Sequence, residues 1–259
     1  KRQDLIVVQE LFMTATTEMA DVVLPASSYF EKNGTFTNGE RRVQRVNKVI
    51  EPIGNTKPDG QIIIDIMSRL GYDQPTGLTY DAEKVIEEIA DVIPFMKGLS
   101  WERLGENGLQ WPINEDGTDT KMLHIGGEFK KGIGTFHHFD FEESPEIVTH
   151  GKQYPFILTT GRELEHYNSG TMTRRTDNQK ILAKDVLEVN PKDAIKKGIE
   201  DNETVRIFSD RGSVNIPIKY SKNVKRGVLR TTFHQPEVFI NIITGSVGDK
   251  ETMTPEYKV

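Results

Sequence analysis

The 259-residue chain contains no cysteine. That absence excludes a thiolate-held iron–sulfur cluster, a Cys-ligated metal and a Cys nucleophile built from these residues. There is also no apolar run approaching the ~20 residues that a membrane-spanning helix needs. Neither sign of charge dominates. The net charge of −6 argues against a nucleic-acid binder, which carries a basic surface. An initiating Met is missing too: the chain opens Lys1-Arg2-Gln3 and enters the apolar run Leu5-Ile6-Val7-Val8 almost at once. The expectation is the C-terminal piece of a longer, cytoplasmic polypeptide. No internal repeat is visible. What is present, 28% charged and 36% apolar residues, fits a globular protein of one large or two ordinary domains.

Three regions are expected. Residues 1–70 read as the end of an α/β domain. Leu5 to Val8 suits a buried parallel strand, and Ala20 to Leu24 a second, closed by Pro25. Gly60 to Leu70 places Ile62, Ile63, Ile66, Met67 and Leu70 at helical spacing, with Gly71 as its C′ glycine. Residues 71–150 read as a helical and loop connector. One helix is expected over Tyr80 to Ile93, and Trp111 to Asp119 is loop. Residues 151–259 read as β-rich, with strands at Phe156–Thr159, Val186–Val189, Thr204–Phe208, Ser213–Ile218 and Gly227–Phe233. Asp210-Arg211-Gly212 suits a hairpin turn, and Pro191 to Gly198 a short helix. Many short strands around one small helix suggest a barrel.

The most informative stretch follows the first of those strands. Thr160 to Arg175 packs hydroxyls, an amide, one imidazole and three guanidiniums into sixteen residues after a break at Gly161. Donors at a glycine turn, backed by Arg, suit an anionic ligand, although a solvated loop has the same composition.

This stretch resembles the C-terminal cofactor-binding motif of the molybdopterin oxidoreductases, the family of formate dehydrogenases and periplasmic nitrate reductases. Phe12-Met13-Thr14-Ala15-Thr16, Ala20-Asp21-Val22-Val23-Leu24-Pro25, Glu31-Lys32-Asn33-Gly34-Thr35-Phe36 and Glu40-Arg41-Arg42-Val43-Gln44 resemble its central domain. Thr254-Pro255-Glu256-Tyr257-Lys258 resembles its end. The resemblance implies a six-stranded double-psi β-barrel at 151–259, after the end of a Rossmann-like domain. It implies part of a formate dehydrogenase catalytic subunit holding bis-molybdopterin guanine dinucleotide with molybdenum or tungsten. Formate would become carbon dioxide, and electrons would leave toward NAD or another acceptor, through an electron-transfer subunit. The iron–sulfur clusters and the metal's Cys or selenocysteine ligand would lie on upstream domains, so this chain alone is expected to be inactive. A nitrate reductase, or a non-catalytic nucleotide- or protein-binding module, remains an alternative.

Residue by residue, the resemblance implies cofactor contacts from Gln9, Glu10, Thr14, Lys32 and Asp59. It implies the same for the run Thr160, Gly161, Arg162, Glu163, Leu164, Glu165, His166, Tyr167, Asn168 and Ser169, and for Phe233, Asn241 and Lys258. The plain alternatives are a loop carboxylate or cap at Glu10, an N-cap at Asp59, a solvated Lys32, a core Phe233 and surface Asn241 and Lys258. His234 and Gln235 are secondary candidates. No metal site is expected: on a strand, His137 and His138 would point to opposite faces.

Overall fold

The parallel strand expected near the start forms, but it is not buried. β1 (Val7–Glu10) leads into the single-turn α1 (Ala15–Glu18) and then β2 (Val22–Pro25). The two strands pair in parallel, Val7 opposite Val22 and Glu10 opposite Pro25. Val7, Val22 and Val23 are 48%, 42% and 36% exposed, which corrects the expected burial. β-Branched residues favour an extended backbone with or without a covering layer, and a two-stranded sheet has little structure to cover its faces. The computed structural model describes residues 3–73, 77–127, 129, 132–138, 140–248 and 254. They cluster into two units, Lys1–Phe136 and His137–Val259.

The first unit continues with β3 (Gly34–Thr37), β4 (Arg42–Val46), α2 (Asp59–Arg69), α3 (Ala82–Val92), α4 (Trp101–Leu104) and β5 (Leu109–Gln110). β4 runs between β3 and β5, antiparallel to both. The sequence gives little sign of this sheet, because its strands are short and polar. Arg41 and Arg42 hold it. Arg41 donates to the carbonyls of Trp111 and Thr120, and Arg42 to Gln110 Oε1 at 2.9 Å. Helix α2 ends as expected: Leu70 is its cap, Gly71 takes φ +76°, and Tyr72 N–H reaches back to Met67 O. Helix α3 starts at Asp81, whose carboxylate accepts from Glu83 N–H, and buries Ile86 and Ala90. These pack with Val43, Leu99 and Leu104 into one core, so the helices at 82–104 lie on the β3–β5 sheet.

The second unit contains α5 (Pro145–His150), β6 (Ile157–Thr160), α6 (Asn178–Ile181), β7 (Leu187–Val189), α7 (Pro191–Lys196), β8 (Thr204–Phe208), β9 (Ser213–Tyr220) and β10 (Val228–Thr231). The strands join in the order β6-β10-β7-β9-β8. β6 and β10 are parallel, β10 and β7 antiparallel, β7 and β9 parallel, β9 and β8 antiparallel. The described residues therefore give a curled five-stranded sheet. On β9, Val214, Ile216 and Ile218 alternate inward with the less buried Ser213, Asn215, Pro217 and Lys219, the period of two that a one-sided strand needs. They meet Leu158, Leu187, Val189, Ala194, Ile240 and Ile243 in one core. Truncating a buried Leu187 or Ile216 to Ala would cost about 2–5 kcal/mol. Among the described residues, no helix is long and apolar enough to cross a membrane.

Candidate functional site

In the first unit, three of the expected residues meet although the sequence scatters them. Backbone pairing does the gathering. β2 continues past Pro25, where Ala26 bridges to Lys57, and Ser27 N–H donates to Lys57 O at 2.9 Å. This brings the start of α2 beside the end of β1. Asp59 is the first residue of that helix; Pro58 occupies the cap position. The Asp59 carboxylate is thus free of capping and accepts from Gln9 Nε2 at 2.5 Å and from Lys32 Nζ. Lys32 also donates to Ser27 O at 3.1 Å. Burial pushes the Asp59 carboxyl up, but the hydrogen bonds from Lys32 and Gln9 outweigh it and hold the group below the usual Asp range. Gly60 lies against the Tyr80 ring so closely that a Cβ there would collide with it. A polar cavity of ≈ 480 Å³ opens beside Lys32, with Asn33, Lys48, Tyr80 and Lys84 among its walls.

Glu10 and Thr14 do not join this cluster. Glu10 Oε1 accepts from the neighbouring Leu11 N–H at 2.9 Å. Thr14 is the N-cap of α1, exchanging hydrogen bonds with Thr17.

In the second unit, the expected loop leaves the end of β6. Gly161 N–H donates to Thr231 O at 2.9 Å, continuing the β6–β10 pairing past Thr160. A Cβ at Gly161 would lie 2.9 Å from the Arg230 guanidinium, so the glycine permits this approach. Arg230 binds Glu163 at 2.7 Å and Glu188 at 3.2 Å, an arrangement that raises its already high pKa through Glu163 first. Glu165 is held by its backbone carbonyl, which accepts from Asn178 Nδ2 at 2.7 Å.

His166 is buried, and both of its ring nitrogens are engaged, Nδ1 with Thr173 Oγ1 at 3.0 Å and Nε2 with Leu182 O at 2.8 Å. Thr173 Oγ1 accepts from Tyr167 N–H at 3.2 Å, so its hydroxyl proton is available to His166 Nδ1. A carbonyl only accepts, so Nε2 donates to Leu182 O, and the ring fastens the loop. What the loop turns outward is Arg162, Leu164, Tyr167, Asn168 and Ser169. Arg162 makes no ion pair among the described residues, which leaves a guanidinium available to an anion.

Phe233 packs against the core of the second unit, while Asn241 is exposed and bonds within its own turn to Thr244. Lys258, with the rest of the terminal motif from Pro255 onward, lies outside the described residues. His234, next to Phe233, proves more connected than its neighbour. It is 3% exposed and stacks on His166, ring centres 4.2 Å apart and planes 20° apart. Its Nδ1 lies 3.0 Å from Asp185 Oδ1, and the buried Asp185 also accepts from Thr232 Oγ1 and Gln235 N–H. Asp185 is the residue that sequence reasoning missed. Its flanks, Lys184 and Val186, give no hint that it is buried.

These two sets of residues suit a ligand carrying phosphates and ring amides. Guanidinium, ammonium and amide donors face outward or line a polar cavity, and the buried Arg174 Nε and His234 Nε2 have no hydrogen-bond partner among the described residues. A second cavity, ≈ 500 Å³, is apolar and lies within the second unit between core residues such as Leu187 and Ile218 and the Glu146–Arg211 pair.

Comparison with known proteins gives the chain its relatives. Residues 1–69 match the family described as "Molybdopterin oxidoreductase", and residues 156–259 match "Molydopterin dinucleotide binding domain". The chain is 40% identical to the F420-dependent formate dehydrogenase 2 subunit alpha of Methanococcus maripaludis, over 100% of this chain and 38% of that protein. It is 38% identical to the F420-dependent formate dehydrogenase subunit alpha of Methanocaldococcus jannaschii, with the same coverage of 100% and 38%. A Bacillus subtilis protein described as the probable oxidoreductase YjgC is 38% identical over 100% of this chain and 26% of its own length. Among solved structures, acetylene hydratase from Pelobacter acetylenicus matches with a TM-score of 0.67, over 99% of this chain and 39% of that one. At 20% identity this is a likeness of fold. The chain spans about two fifths of the length of the formate dehydrogenase relatives (38%).

Proposed function

Because the chain belongs to the molybdopterin oxidoreductase family, we propose that it is the cofactor-holding part of a molybdenum- or tungsten-dependent formate dehydrogenase subunit. The observation that carries this reading is the run of similarity to formate dehydrogenase alpha subunits along the whole chain. When bound, the bis-molybdopterin guanine dinucleotide supplies the two-electron chemistry that turns formate into carbon dioxide.

This chain's residues bind and orient. Gln9, Lys32 and Asp59 form a preassembled polar set beside a cavity, suited to a nucleotide. Glu10, at the carboxyl end of a parallel strand, offers a carboxylate to a guanine N1–H and amine. Arg162, exposed and without an ion pair among the described residues, would hold the cofactor's pyrophosphate, and Tyr167, Asn168 and Ser169 are exposed on the same loop. His166 fastens that loop from below. Phe233, Asn241 and Lys258 complete the set. The curled sheet belongs to a six-stranded double-psi β-barrel; five strands in that order and the dinucleotide-domain match support it. Iron–sulfur clusters and the metal's thiolate or selenolate ligand are supplied by other domains of the intact subunit. An electron-transfer partner passes electrons to NAD or another acceptor.

The test is pterin and metal analysis of the intact subunit together with formate-dependent dye reduction. Stoichiometric dinucleotide, molybdenum or tungsten, and formate-driven reduction are expected. The 259-residue chain alone should reduce no dye, because it has no thiolate to ligate the metal. An intact subunit without pterin would make the chain a binding module instead.

A further inference from the structure

Asp185, His234 and His166 form a line of buried groups that ends on the loop. Asp185 already accepts from Thr232 and Gln235, and its third contact is His234 Nδ1. Asp185 therefore accepts a hydrogen bond from Nδ1–H, and a neutral His234 carries its lone pair on Nε2. That Nε2 is buried without a partner among the described residues. On the other side of the ring lies His166, nearly parallel, whose two nitrogens hold Thr173 and Leu182. The Gly170–Arg174 turn closes over this pair. A Cβ at Gly170, φ +71°, would lie 3.1 Å from His234 O and 3.2 Å from Arg174 Nε.

A second proton on His234 would enter a poor place for charge. The new Nε2–H would be buried without an acceptor, and the cation would face the His166 ring and the Arg174 guanidinium. Opening the loop would hydrate it. We propose that His234 is a proton-sensitive positioning residue: neutral, it stacks on His166 and holds the loop from Gly161 to Arg175 in place; protonated, it separates the stack and releases that loop. The holding of the loop stands on the geometry alone, and its meaning for ligand retention rests on the function proposed above.

The charged and titratable groups around His234 are Asp185, His166, Arg174 and Glu163. Burial, first, pushes its imidazole below the ordinary histidine value. Asp185 pulls it up, His166 and Arg174 push it down, and Glu163 pulls it up, leaving it lowered. The closed state thus binds the proton more weakly than an open, hydrated one. Closure is favoured near pH 7 and weakens as pH falls below the ordinary histidine value of about 6.5.

The test is hydrogen exchange of the full chain between pH 8 and pH 5, corrected for intrinsic rates, with an imidazole nitrogen titration of His234 alongside. The amides of Tyr167, Gly170 and Arg174, all hydrogen-bonded within the loop, report opening. Their protection should fall by about tenfold per pH unit once His234 titrates, the dependence of one linked proton. β9 amides should not change. His234→Asn, which keeps a donor for Asp185, should remove the pH step. A flat wild-type profile, or an unchanged step in His234→Asn, overturns the proposal. If His234→Asn also loses β9 protection, the wild-type comparison decides: opening must share its midpoint with the His234 nitrogen titration, and a mismatch overturns it. Pterin retained by the intact subunit at pH 8 and pH 5.5 separates the two readings. No pterin at either pH defeats the cofactor assignment and leaves the proton-sensitive loop standing.

Discussion

The Gln9–Lys32–Asp59 cluster lies near the surface, its ion pair 21% and 46% exposed, and each polar group has found another. The Asp185–His234–His166 cluster is buried and leaves one nitrogen without a partner among the described residues. The first set is satisfied before any ligand arrives, so a ligand there exchanges hydrogen bonds with groups that water also reaches. Its net contribution is modest. In the second set, where a lost partner is not replaced by water, each contact counts for more. A folded scaffold can therefore hold one polar cluster loosely and another tightly with the same residue types.

The sharpest way to break this contrast is at the buried carboxylate. Asp185→Ala strips acceptors from Thr232, Gln235 and His234 at once, and urea unfolding should show a loss of about 3–5 kcal/mol. A loss below ~1 kcal/mol would mean that the cluster is wet, and the distinction between the two sets would vanish.

Arg162→Ala should act on binding instead. Losing a charge-assisted contact to an anion costs about 1.5–3 kcal/mol, read as pterin and metal retained per intact subunit. The chain's own stability should move by less than ~0.5 kcal/mol, because the side chain is exposed and makes no ion pair among the described residues. Unfolding of the second unit with full metal content in the folded remainder would make the loop structural.

Glu10→Ala should weaken the preference of the loaded subunit for guanine over adenine dinucleotide by about 1–3 kcal/mol. An unchanged preference would reduce Glu10 to the local contact that it makes with Leu11.

The smallest effect is expected at Asp59. Asp59→Asn should cost about 1 kcal/mol or less at pH 7, since the pair is partly exposed. The folded-state pKa is lowered, so the carboxylate stabilises the fold above its unfolded value of about 3.9, and that contribution disappears as pH falls further. The gap between wild type and variant should close in acid below about pH 4. A gap that persists there would come from shape and not from charge.

Much of the fold was legible where a local pattern decides it. β9 alternates, α7 carries Pro at its start and Gly198 after its end, and Gly71 stops α2 with positive φ. The β3–β5 sheet was not legible, because Arg41, Arg42 and Gln110 hold it through contacts to residues far along the chain. Apolar periodicity carries no record of those. The burial expected for Leu5 to Val8 failed for a related reason: branching fixes a strand's conformation but not what covers it. At the sites, the loop from Thr160 was visible as a dense run of donors. Asp59 is a candidate by resemblance, yet its tie to Gln9 depends on the pairing of Ala26 and Ser27 with Lys57. Asp185 was invisible, since an isolated Asp acquires meaning only when β10 delivers His234 beside it.

The pairing of β6 with β10 also sets an order of events. Among the described residues, β6 is an edge strand, and the strand it pairs with lies late in the chain. Synthesis runs from the N-terminus, so Gly161 to Arg175 leave the ribosome long before Val228 to Thr231 and His234. During that interval Gly161 has no Thr231 carbonyl to bond, and His166 has no ring to stack on. The loop is a late product of assembly, fixed by the last strand to arrive.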